Sequence, residues 1–522
     1  MSDHYDVIVI GSGLGGLTSA ALLAQAGRKT LLIERNYGVG GAASTYKSGD
    51  LVVEASLHET SDPNHPSDPK HHVLAGLGVL DKVTWVPTPA VYEVRGGPVG
   101  VPFVLPDGFA AARDALVDRF PRARAGAGPL LAEMERITEA LGVLSKGRGA
   151  FDKPLEGLSA LMKLGPLIRG WRRSLGERLH DAFGEDEGAK VGLAANILYW
   201  HDDPDTLWWI LFAVAQGGYI GCGGRYVQGG SQRLSNMIAR SLKAAGGELV
   251  LRRAVTEILL DDEGRPVGVV HEPKEGGDRV EARAPVIVSN AAPALMADML
   301  PDTAKQRFSA AYADRPLSIS LSSATFGMSV PPAEFGLSTY STFLLPEWMQ
   351  KLSDYRRSAA ILADAPGEAM PPIAVVNYSA IDSGLAGPPY PVSVVGVDRL
   401  SNWSGLDAEA YNAKRNAWRD ALAAAIDCAY PGFAAHIDTT VFSTPSTMRS
   451  YLNAPDGAVY GFAPRPPPGA FRKGPESSPI TPIPGLYLAS SYGGNGGYTG
   501  AILAGATAAR HVLADTGPVR KK

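Results

Sequence analysis

The stretch YDVIVIGSGLGGLTSAALLAQAG, residues 5–27, joins a short apolar run to a set of closely spaced glycines. The run YDVIVI has the composition of a buried strand in a parallel sheet. Gly11, Gly13 and Gly16 follow with the spacing G-x-G-x-x-G. In such a loop the first glycine makes a tight turn, the second lets the backbone approach a diphosphate, and the third lets a helix pack on the strand. We therefore predict a helix over Leu14–Gln25 whose N-terminal amides face a diphosphate.

An acidic residue follows at the distance that a dinucleotide site requires. RKTLLIE reads as the second strand, and Glu34 stands at its carboxyl end, 18 residues after Gly16. A carboxylate there can accept both hydrogen bonds of an adenosine ribose. The glycine spacing alone also occurs by chance, but strand, helix, second strand and acid in this order predict a dinucleotide site for an unphosphorylated ribose.

A second group of glycines helps to distinguish an FAD site from an NAD site. Gly38, Gly40 and Gly41 lie in RNYGVGGAAST, directly after the second strand. An NAD site does not need this loop, which resembles the flavoprotein type that runs under the diphosphate and the isoalloxazine. FAD is therefore favoured over NAD.

The remaining strands of a nucleotide-binding domain lie far along the chain. Residues 246–270 read as a strand and a hairpin that turns at 263–266, and residues 284–293 contain another buried strand. Near the end, a strand over 486–489 leads through a glycine-rich loop into a helix from about Thr499. The nucleotide-binding domain is predicted to be discontinuous.

These segments in this order, GVGGAAST, GGRYVQGGSQRLSNMIARSLKAAGGELVLRRAVTEI, VIVSNAAP and GLYLASSYGGNGGYTGAILAGATAA, resemble the phytoene desaturase family, which includes carotenoid isomerases and retinol saturases. The resemblance implies an α/β fold: a discontinuous Rossmann FAD domain of the glutathione-reductase type and a second, α+β substrate domain. We place the FAD domain at 1–84, 221–298 and 476–522. The substrate domain takes 85–220, helical in pattern, and 299–475, which suits an antiparallel sheet.

The resemblance also assigns site residues. Val255 falls where the family holds the adenine with strand backbone, and Tyr498 and Thr499 open a helix whose amides face the flavin pyrimidine carbonyl. Related flavoproteins place an acidic contact to the ribityl chain where this sequence has Ser490 and Ser491, so that contact is left open. The predicted cofactor-binding residues are Gly11, Gly13, Leu14, Gly15, Gly16, Glu34, Arg35, Gly40, Gly41, Ala42, Val255, Asn290, Ser491, Tyr498 and Thr499.

The resemblance implies a flavin enzyme that acts on carbon–carbon bonds of an apolar polyene or isoprenoid. The aromatic segment 199–219 suits a long apolar substrate, and no second dinucleotide fingerprint indicates an NADPH domain. Electrons would then pass to a diffusible acceptor, a quinone or oxygen, so desaturation or isomerisation is favoured over saturation. A flavin amine oxidase-like enzyme and an FAD-binding protein without turnover are the alternatives.

Four histidines crowd into HETSDPNHPSDPKHH, at His58, His65, His71 and His72. This proline-broken run lacks the fixed offsets of metal ligands, so we predict no metal site and a solvated loop. His58, close behind the flavin loop in sequence, is the candidate for facing the ring or the substrate. The catalytic residues are otherwise not assigned.

Composition and charge restrict partners and location. The formal net charge is −4, which gives no general attraction to nucleic acid, and two cysteines indicate no disulfide framework. With no signal-peptide pattern and no apolar run of about 20 residues, we expect a cytoplasmic protein. Residues 161–179 read as a basic amphipathic helix, which either packs on its own core or lies on a membrane surface. The family resemblance favours peripheral association with the inner membrane surface.

Overall fold

A computed structural model describes residues 4–145, 164–385 and 387–517. Its strands are β1 Val7–Ile10, β2 Thr30–Ile33, β3 Thr45–Ser48, β4 Leu51–Glu54, β5 Thr60–Ser61, β6 Trp85–Pro87, β7 Tyr92–Gly96, β8 Gly100–Leu105, β9 Gly224–Val227, β10 Glu248–Val250, β11 Arg253–Leu260, β12 Pro266–Pro273, β13 Val280–Arg283, β14 Val286–Ser289, β15 Ser320–Met328, β16 Ser341–Leu345, β17 Ile373–Asn377, β18 Tyr390–Asp398, β19 Ile437–Ser443 and β20 Leu486–Leu488.

The helices are α1 Leu14–Gln25, α2 His71–Gly76, α3 Phe109–Arg119, α4 Arg124–Ser145, α5 Leu175–Phe183, α6 Glu187–Ala194, α7 Trp209–Cys222, α8 Ser231–Ala244, α9 Pro293–Met299, α10 Asp302–Ala310, α11 Ser358–Ile361, α12 Ala408–Ala429, α13 Pro445–Leu452 and α14 Gly497–Thr516. Residues 164–170 are also helical.

A five-stranded parallel sheet carries the fingerprint. Its order is β10-β2-β1-β14-β20, with Val7 of β1 paired to Thr30 on one side and to Val286 on the other. All residues of β1, β2, β14 and β20 are buried, as expected for strands that helices cover on both faces. Strands from the beginning, the middle and the end of the chain therefore build one sheet, and the predicted discontinuous Rossmann fold is confirmed.

The first and last helices beside this sheet have nearly the bounds that the sequence predicts. Helix α1 spans the residues predicted for it, and α14 begins two residues before Thr499. The expected hairpin is β11–β12, whose turn is closed by the Asp261 N–H donating to the Arg265 carbonyl at 2.9 Å.

A second sheet of seven strands has the order β19-β15-β18-β17-β16-β7-β8. It is antiparallel except where β16 runs parallel to β7. Helix α12 covers one face, where Trp418 and Ile426 join Phe326 of β15 in a buried cluster. The expectation of a helical segment over 85–220 is wrong in part, because β6, β7 and β8 fall inside it.

The predicted helix over 161–179 is not one helix. Residues 161–163 lie outside the described part, helical residues end at 170, and a turn follows at Trp171. Helix α5 then starts afresh because the Ser174 side chain accepts from the Glu177 N–H and the Glu177 side chain returns a bond to Ser174. Leu167 is buried in the protein's own core together with Trp171.

The predicted domain boundaries, at 84, 220, 298 and 475, stay a prediction. Within the described residues, every helix is too short or too polar to cross a bilayer.

Candidate functional site

The first glycine loop is held tightly between β1 and α1. Gly11 has φ of +87°, a conformation that favours glycine, and its N–H donates to the Ile33 carbonyl at 2.8 Å. A Cβ on Gly16 would lie 2.0 Å from the Gly11 carbonyl oxygen. The third glycine is therefore needed for the close helix approach that the sequence predicted.

Asn290 completes the start of α1 from another strand. The capping residue of α1 is Gly13, which has no side chain to accept a bond. The Asn290 Oδ1 instead accepts from the Gly16 N–H at 3.0 Å, while its backbone N–H donates to the Ile10 carbonyl at 2.8 Å. A Cβ on Gly13 would lie 2.5 Å from the Asn290 Nδ2. Asn290 thus fixes the loop on which the diphosphate is expected. Leu14, the first residue of α1, is buried.

Gly15 has a packing role in the structure. A Cβ there would lie 1.7 Å from the Ala489 carbonyl oxygen, and a Cβ on Gly505 of α14 would lie 2.2 Å from the Gly15 carbonyl oxygen. The two helices cross at these glycines. The assignment of Gly15 as a diphosphate contact stays a prediction.

The second glycine loop docks on the first. The Gly40 N–H donates to the Ser12 carbonyl at 2.9 Å, and a Cβ on Gly41 would lie 3.3 Å from the Gly13 Cα. Gly40 itself has φ of +117°. The Ala42 carbonyl accepts from the Ser56 hydroxyl at 2.7 Å. The predicted loop residues therefore converge on one small cradle at the carboxyl ends of β1 and β2.

Glu34 is buried and already positioned by the protein. Its Oε2 accepts from the Ser12 N–H at 2.8 Å and from the Ser12 hydroxyl at 2.7 Å, and its Oε1 accepts from the Asn36 N–H at 2.7 Å. A carboxylate has about four acceptor sites, so Oε1 can take one further donor and Oε2 another when the Ser12 hydroxyl turns away. The geometry is compatible with a ribose diol.

Other predicted residues surround this acid. The Arg253 N–H at the start of β11 donates to the Glu34 carbonyl at 3.0 Å, which brings the buried Val255 close to the end of β2. Arg35 donates to the Ser450 carbonyl at 2.5 Å, and its buried Nε has no partner among the described residues.

The last helix presents an open N-terminus. The capping residue of α14 is Gly496, without a side-chain cap, and Tyr498 and Thr499 lie in the first turn. The Tyr498 hydroxyl is 3.1 Å from the Ser56 hydroxyl, which joins this helix end to the second glycine loop. A 20-residue helix with an uncapped N-terminus places partial positive charge there.

The two serines at the predicted ribityl position differ in burial. Ser490 is buried, and its hydroxyl has no partner among the described residues. Ser491 is half-buried, and a Cβ on Gly461 would lie 2.8 Å from its hydroxyl oxygen. The unpartnered hydroxyl of Ser490 is available to a polar ligand, whereas the role predicted for Ser491 stays a prediction.

Glu54 is a buried residue that the sequence analysis missed. Its carboxylate accepts from the Ser231 N–H at 2.8 Å and the Ser231 hydroxyl at 2.6 Å, and so caps α8. The Thr45 hydroxyl adds a bond at 2.9 Å. Burial raises the pKa of Glu54, and the bonds from Ser231 oppose the shift. Glu54 and Ser231 are 177 residues apart, so no local pattern could have joined them.

Four tyrosines form a group beside residues 56–59, close to the second glycine loop. Burial raises the pKa of Tyr199, Tyr219, Tyr460 and Tyr498, yet each retains solvent-accessible surface. Tyr460 is the common neighbour, since its proximity contributes to the raised pKa of the other three. All four hydroxyls are therefore neutral at physiological pH.

His58 lies against this tyrosine group, and its predicted place facing the flavin or the substrate stays a prediction. Its Nδ1 is 2.9 Å from the Tyr199 hydroxyl, and its carbonyl accepts from the Tyr340 hydroxyl. Burial lowers the pKa of His58 to about 4, so the imidazole is neutral. The neighbouring Glu59 is buried as well, and burial raises its pKa to about 8.

The expectation of a solvated histidine loop is wrong for much of the run. His65 and His72 are exposed, but Lys70 and Asp68 form a buried ion pair at 2.8 Å. The Lys70 ammonium also donates to the Ser61 carbonyl and hydroxyl, which pins the segment to the core. Across the described residues, no group of three or more His, Cys, Asp or Glu side chains is arranged to hold a metal.

A cavity leads from the surface to the start of α14. Tyr460 and the loop 494–496 line it together with Trp200, Trp208, Leu211 and Phe462. Charged residues stand with the prolines 464 and 466–468 on the remaining wall. The aromatic segment singled out in the sequence therefore divides between this wall and the core, where Trp209 and Phe212 are fully buried.

Comparison with known proteins shows which family and which relatives this chain is similar to. A family model described as flavin containing amine oxidoreductase matches residues 14–513. All-trans-retinol 13,14-reductase of Danio rerio is 24% identical over 96% of this chain and 86% of that protein. Prolycopene isomerase 2, chloroplastic, of an Oncidium hybrid cultivar is 24% identical over 100% of this chain and 86% of that protein.

The mammalian relatives match over a shorter stretch. All-trans-retinol 13,14-reductase of Macaca fascicularis is 27% identical over 55% of this chain and 47% of that protein. The matched part thus spans about half the length of these mammalian retinol reductases. Among solved structures, an oxidoreductase from Methanosarcina mazei superposes with a TM-score of 0.63 at 15% identity, covering 98% of this chain and 100% of that chain. This likeness shows the fold.

The residues present fit the flavin that the family model names. The two glycine loops form a cradle that side chains would fill, Glu34 has acceptor capacity left, and α14 offers an uncapped N-terminus. The Ser490 hydroxyl and the Arg35 Nε are buried polar atoms without partners in the described structure. The cofactor of this protein is FAD.

Proposed function

Because the chain belongs to the flavin-containing amine oxidoreductase family, and is thus an FAD-dependent oxidoreductase, we propose that it acts on carbon–carbon bonds of an apolar polyene or isoprenoid lipid. The observation that carries the proposal is the cavity with aromatic and aliphatic walls that ends at the start of α14. The names of two full-length matches, a retinol reductase and a prolycopene isomerase, also concern polyenes.

The walls of this cavity suit a flat, apolar chain. Trp208 and Phe462 supply wide aromatic surfaces, and Leu211 adds an aliphatic one. Binding there removes apolar substrate surface from water, which is the main source of affinity for such a molecule. The Tyr460 hydroxyl, whose pKa burial raises, adds no charge to this part of the lining.

FAD, when bound, supplies the two-electron chemistry at the substrate carbon atoms. The N-terminus of α14 would hold the pyrimidine edge of the ring, where its amides would stabilise negative charge. His58, with a pKa of about 4, is a poor proton carrier at neutral pH and instead orients the Tyr199 hydroxyl. This arrangement leaves the chemistry to the cofactor and assigns positioning and exclusion of water to the chain.

Desaturation is the direction we propose, with oxygen or a quinone as the acceptor. The glycine-rich stretch around Cys222 closes α7 and leads into β9, which pairs antiparallel with β5 and β6. It therefore has the wrong setting for a second nucleotide fingerprint, which needs a parallel strand before a helix. Isomerisation with reduced flavin and no net electron flow is the nearest alternative.

Anaerobic mixing of the FAD-loaded protein with a panel of polyenes tests the proposal. Loss of the oxidised flavin absorption on adding polyene alone supports desaturation, and isomer formation only after reduction with dithionite supports isomerisation. Reoxidation of the reduced protein by a polyene, with a product two hydrogens richer, identifies a saturase.

Two further outcomes would replace the proposal. Hydrogen peroxide formed from amines in air, with no response to any polyene, indicates the amine oxidase-like alternative. A flavin that responds to neither class, although dithionite reduces it, indicates an FAD-binding protein without turnover.

For location, we propose a cytoplasmic protein that associates peripherally with the inner membrane surface. Arg169 and Arg172 are exposed, as is the neighbouring Ile168, which favours contact with an anionic surface. Arg173, by contrast, is paired with Glu177 at 3.0 Å and with Asp181 at 2.7 Å. The proposed membrane association therefore rests on the exposed Arg169 and Arg172.

A further inference from the structure

Arg315 forms part of the wall of the substrate cavity and is half-buried there. Its guanidinium carbon lies 4.0 Å from the centre of the Phe462 ring. Tyr312 stacks on the same phenylalanine, with 6.0 Å between ring centres and 9° between ring planes. The arginine is thus held by an aromatic support at a fixed place in the wall.

The hydrogen-bonding capacity of this guanidinium is not used by the protein. Among the described residues, none accepts a hydrogen bond from the Arg315 side chain, and none places a carboxylate oxygen within 4.0 Å of it. Burial lowers the pKa of Arg315, and the negative charge of Glu476 opposes that shift from a greater distance. A guanidinium has five N–H donors, so a half-buried one without acceptors is ready to bind a ligand.

We propose that Arg315 binds the carboxylate of a substrate that is a polyene with an acidic end group. The inference rests on the proposed function and names its substrate class. A planar guanidinium matches a carboxylate with two parallel hydrogen bonds, and a cation already supported by an aromatic ring keeps its orientation. The apolar body of the substrate then extends past Trp208 and Leu211 toward Tyr460 and the turn 494–496.

Three other charged side chains line the same cavity, and all three are more exposed than Arg315. Asp314, Arg465 and Glu476 are exposed, so solvent and salt screen them. Arg315 lies deeper, and its charge is screened less. The charges of the two acids and two arginines sum to zero, but the less screened charge of Arg315 favours a carboxylate at that position. The negative charge of Glu476 weakens the binding of this carboxylate.

The test measures binding rather than turnover. Trp200 and Trp208 line the cavity, and a bound polyene that absorbs at their emission wavelength quenches their fluorescence. The probes are all-trans-retinoic acid, all-trans-retinol and the uncharged methyl ester of all-trans-retinoic acid in one detergent, titrated into FAD-loaded protein. We expect Arg315→Gln to weaken binding of the acid about tenfold, as the loss of charged hydrogen bonds predicts, and to leave the other two probes within about twofold.

Two variants sharpen the result. Glu476→Gln removes the opposing charge and should tighten binding of the acid alone. Arg265→Gln removes one positive charge in the exposed β11–β12 turn and should change nothing. Equal FAD content and an unchanged flavin spectrum in every variant show that each one folds.

The outcomes separate this inference from the proposed function. If all three polyenes bind but Arg315→Gln leaves the acid unaffected, or weakens all three equally, the assignment of Arg315 is overturned while a polyene enzyme stands. If no polyene quenches the wild-type protein, both are overturned together.

Discussion

Glu59 offers a direct test of the electrostatics beside the tyrosine group, through the variant Glu59→Gln. Its side chain is 6% exposed. The Oε2 is 3.4 Å from the Thr88 hydroxyl, and the buried Oε1 has no partner among the described residues. Burial raises the pKa of this carboxyl from 4.5 to about 8, so it is protonated in the folded protein at neutral pH.

The sign of the resulting pH dependence follows from proton linkage. The folded state binds the Glu59 proton more tightly than the unfolded state does, so this contribution to stability is complete below pH 4.5 and is lost as the pH rises through 8. Each unit in that window costs about 1.4 kcal/mol, or about 2 kcal/mol between pH 6.5 and 8. Burial lowers the pKa of His58 from 6.5 to about 4, so the contribution of His58 to folding stability is nearly constant between pH 6.5 and 8.

Denaturant unfolding of the FAD-loaded protein at pH 6.5 and pH 8, followed by tryptophan fluorescence, measures the effect. Glutamine keeps the shape of the protonated acid and cannot ionise, so the stability of Glu59→Gln relative to wild type should rise by about 2 kcal/mol from the lower to the higher pH. Glu334→Gln at an exposed glutamate is the matched control and should show no such change. A pH-independent difference for Glu59→Gln would refute the argument that the buried carboxyl is protonated.

Three further predictions concern cofactor, packing and surface. Glu34→Gln should weaken FAD binding about tenfold to a hundredfold, since one charge-assisted hydrogen bond is worth about 1.5–3 kcal/mol; flavin fluorescence on dilution measures this, and unchanged affinity would remove Glu34 from the ribose site. Gly15→Ala should abolish recovery of soluble FAD-loaded protein, whereas Gly76→Ala, where a Cβ meets nothing within 4 Å, should be recovered at the wild-type FAD content; equal recovery of both would contradict the close helix crossing. Charge reversal at Arg169 and Arg172 should abolish low-salt sedimentation with anionic vesicles, and sedimentation that persists places the membrane contact elsewhere.

The sequence predicted the elements whose signals are local. The bounds of α1 and the acid after β2 could be read because a G-x-G-x-x-G loop imposes both the turn and the helix start. The distant strands β14 and β20 were also recognised, since short apolar runs before small-residue loops are typical of parallel sheets.

Contacts between distant segments could not be predicted in the same way. Asn290 caps α1 across 274 residues, and the close approach of Gly15 to Gly505 depends on where α14 crosses. The continuous helix expected over 161–179 was wrong because a local capping box at Ser174 outweighs the apolar periodicity. The loop around Lys70 was judged solvated by its composition, although its charge is paired inside the protein.

The claim that the flavin dehydrogenates a polyene is tested most directly by a single turnover without oxygen. FAD-loaded protein is mixed with an excess of polyene, the loss of oxidised flavin absorption is recorded, and the extracted polyene is analysed by mass spectrometry. We predict one molecule of polyene two hydrogens poorer for each flavin reduced. Flavin that stays oxidised with every polyene, while an amine reduces it, would contradict the account.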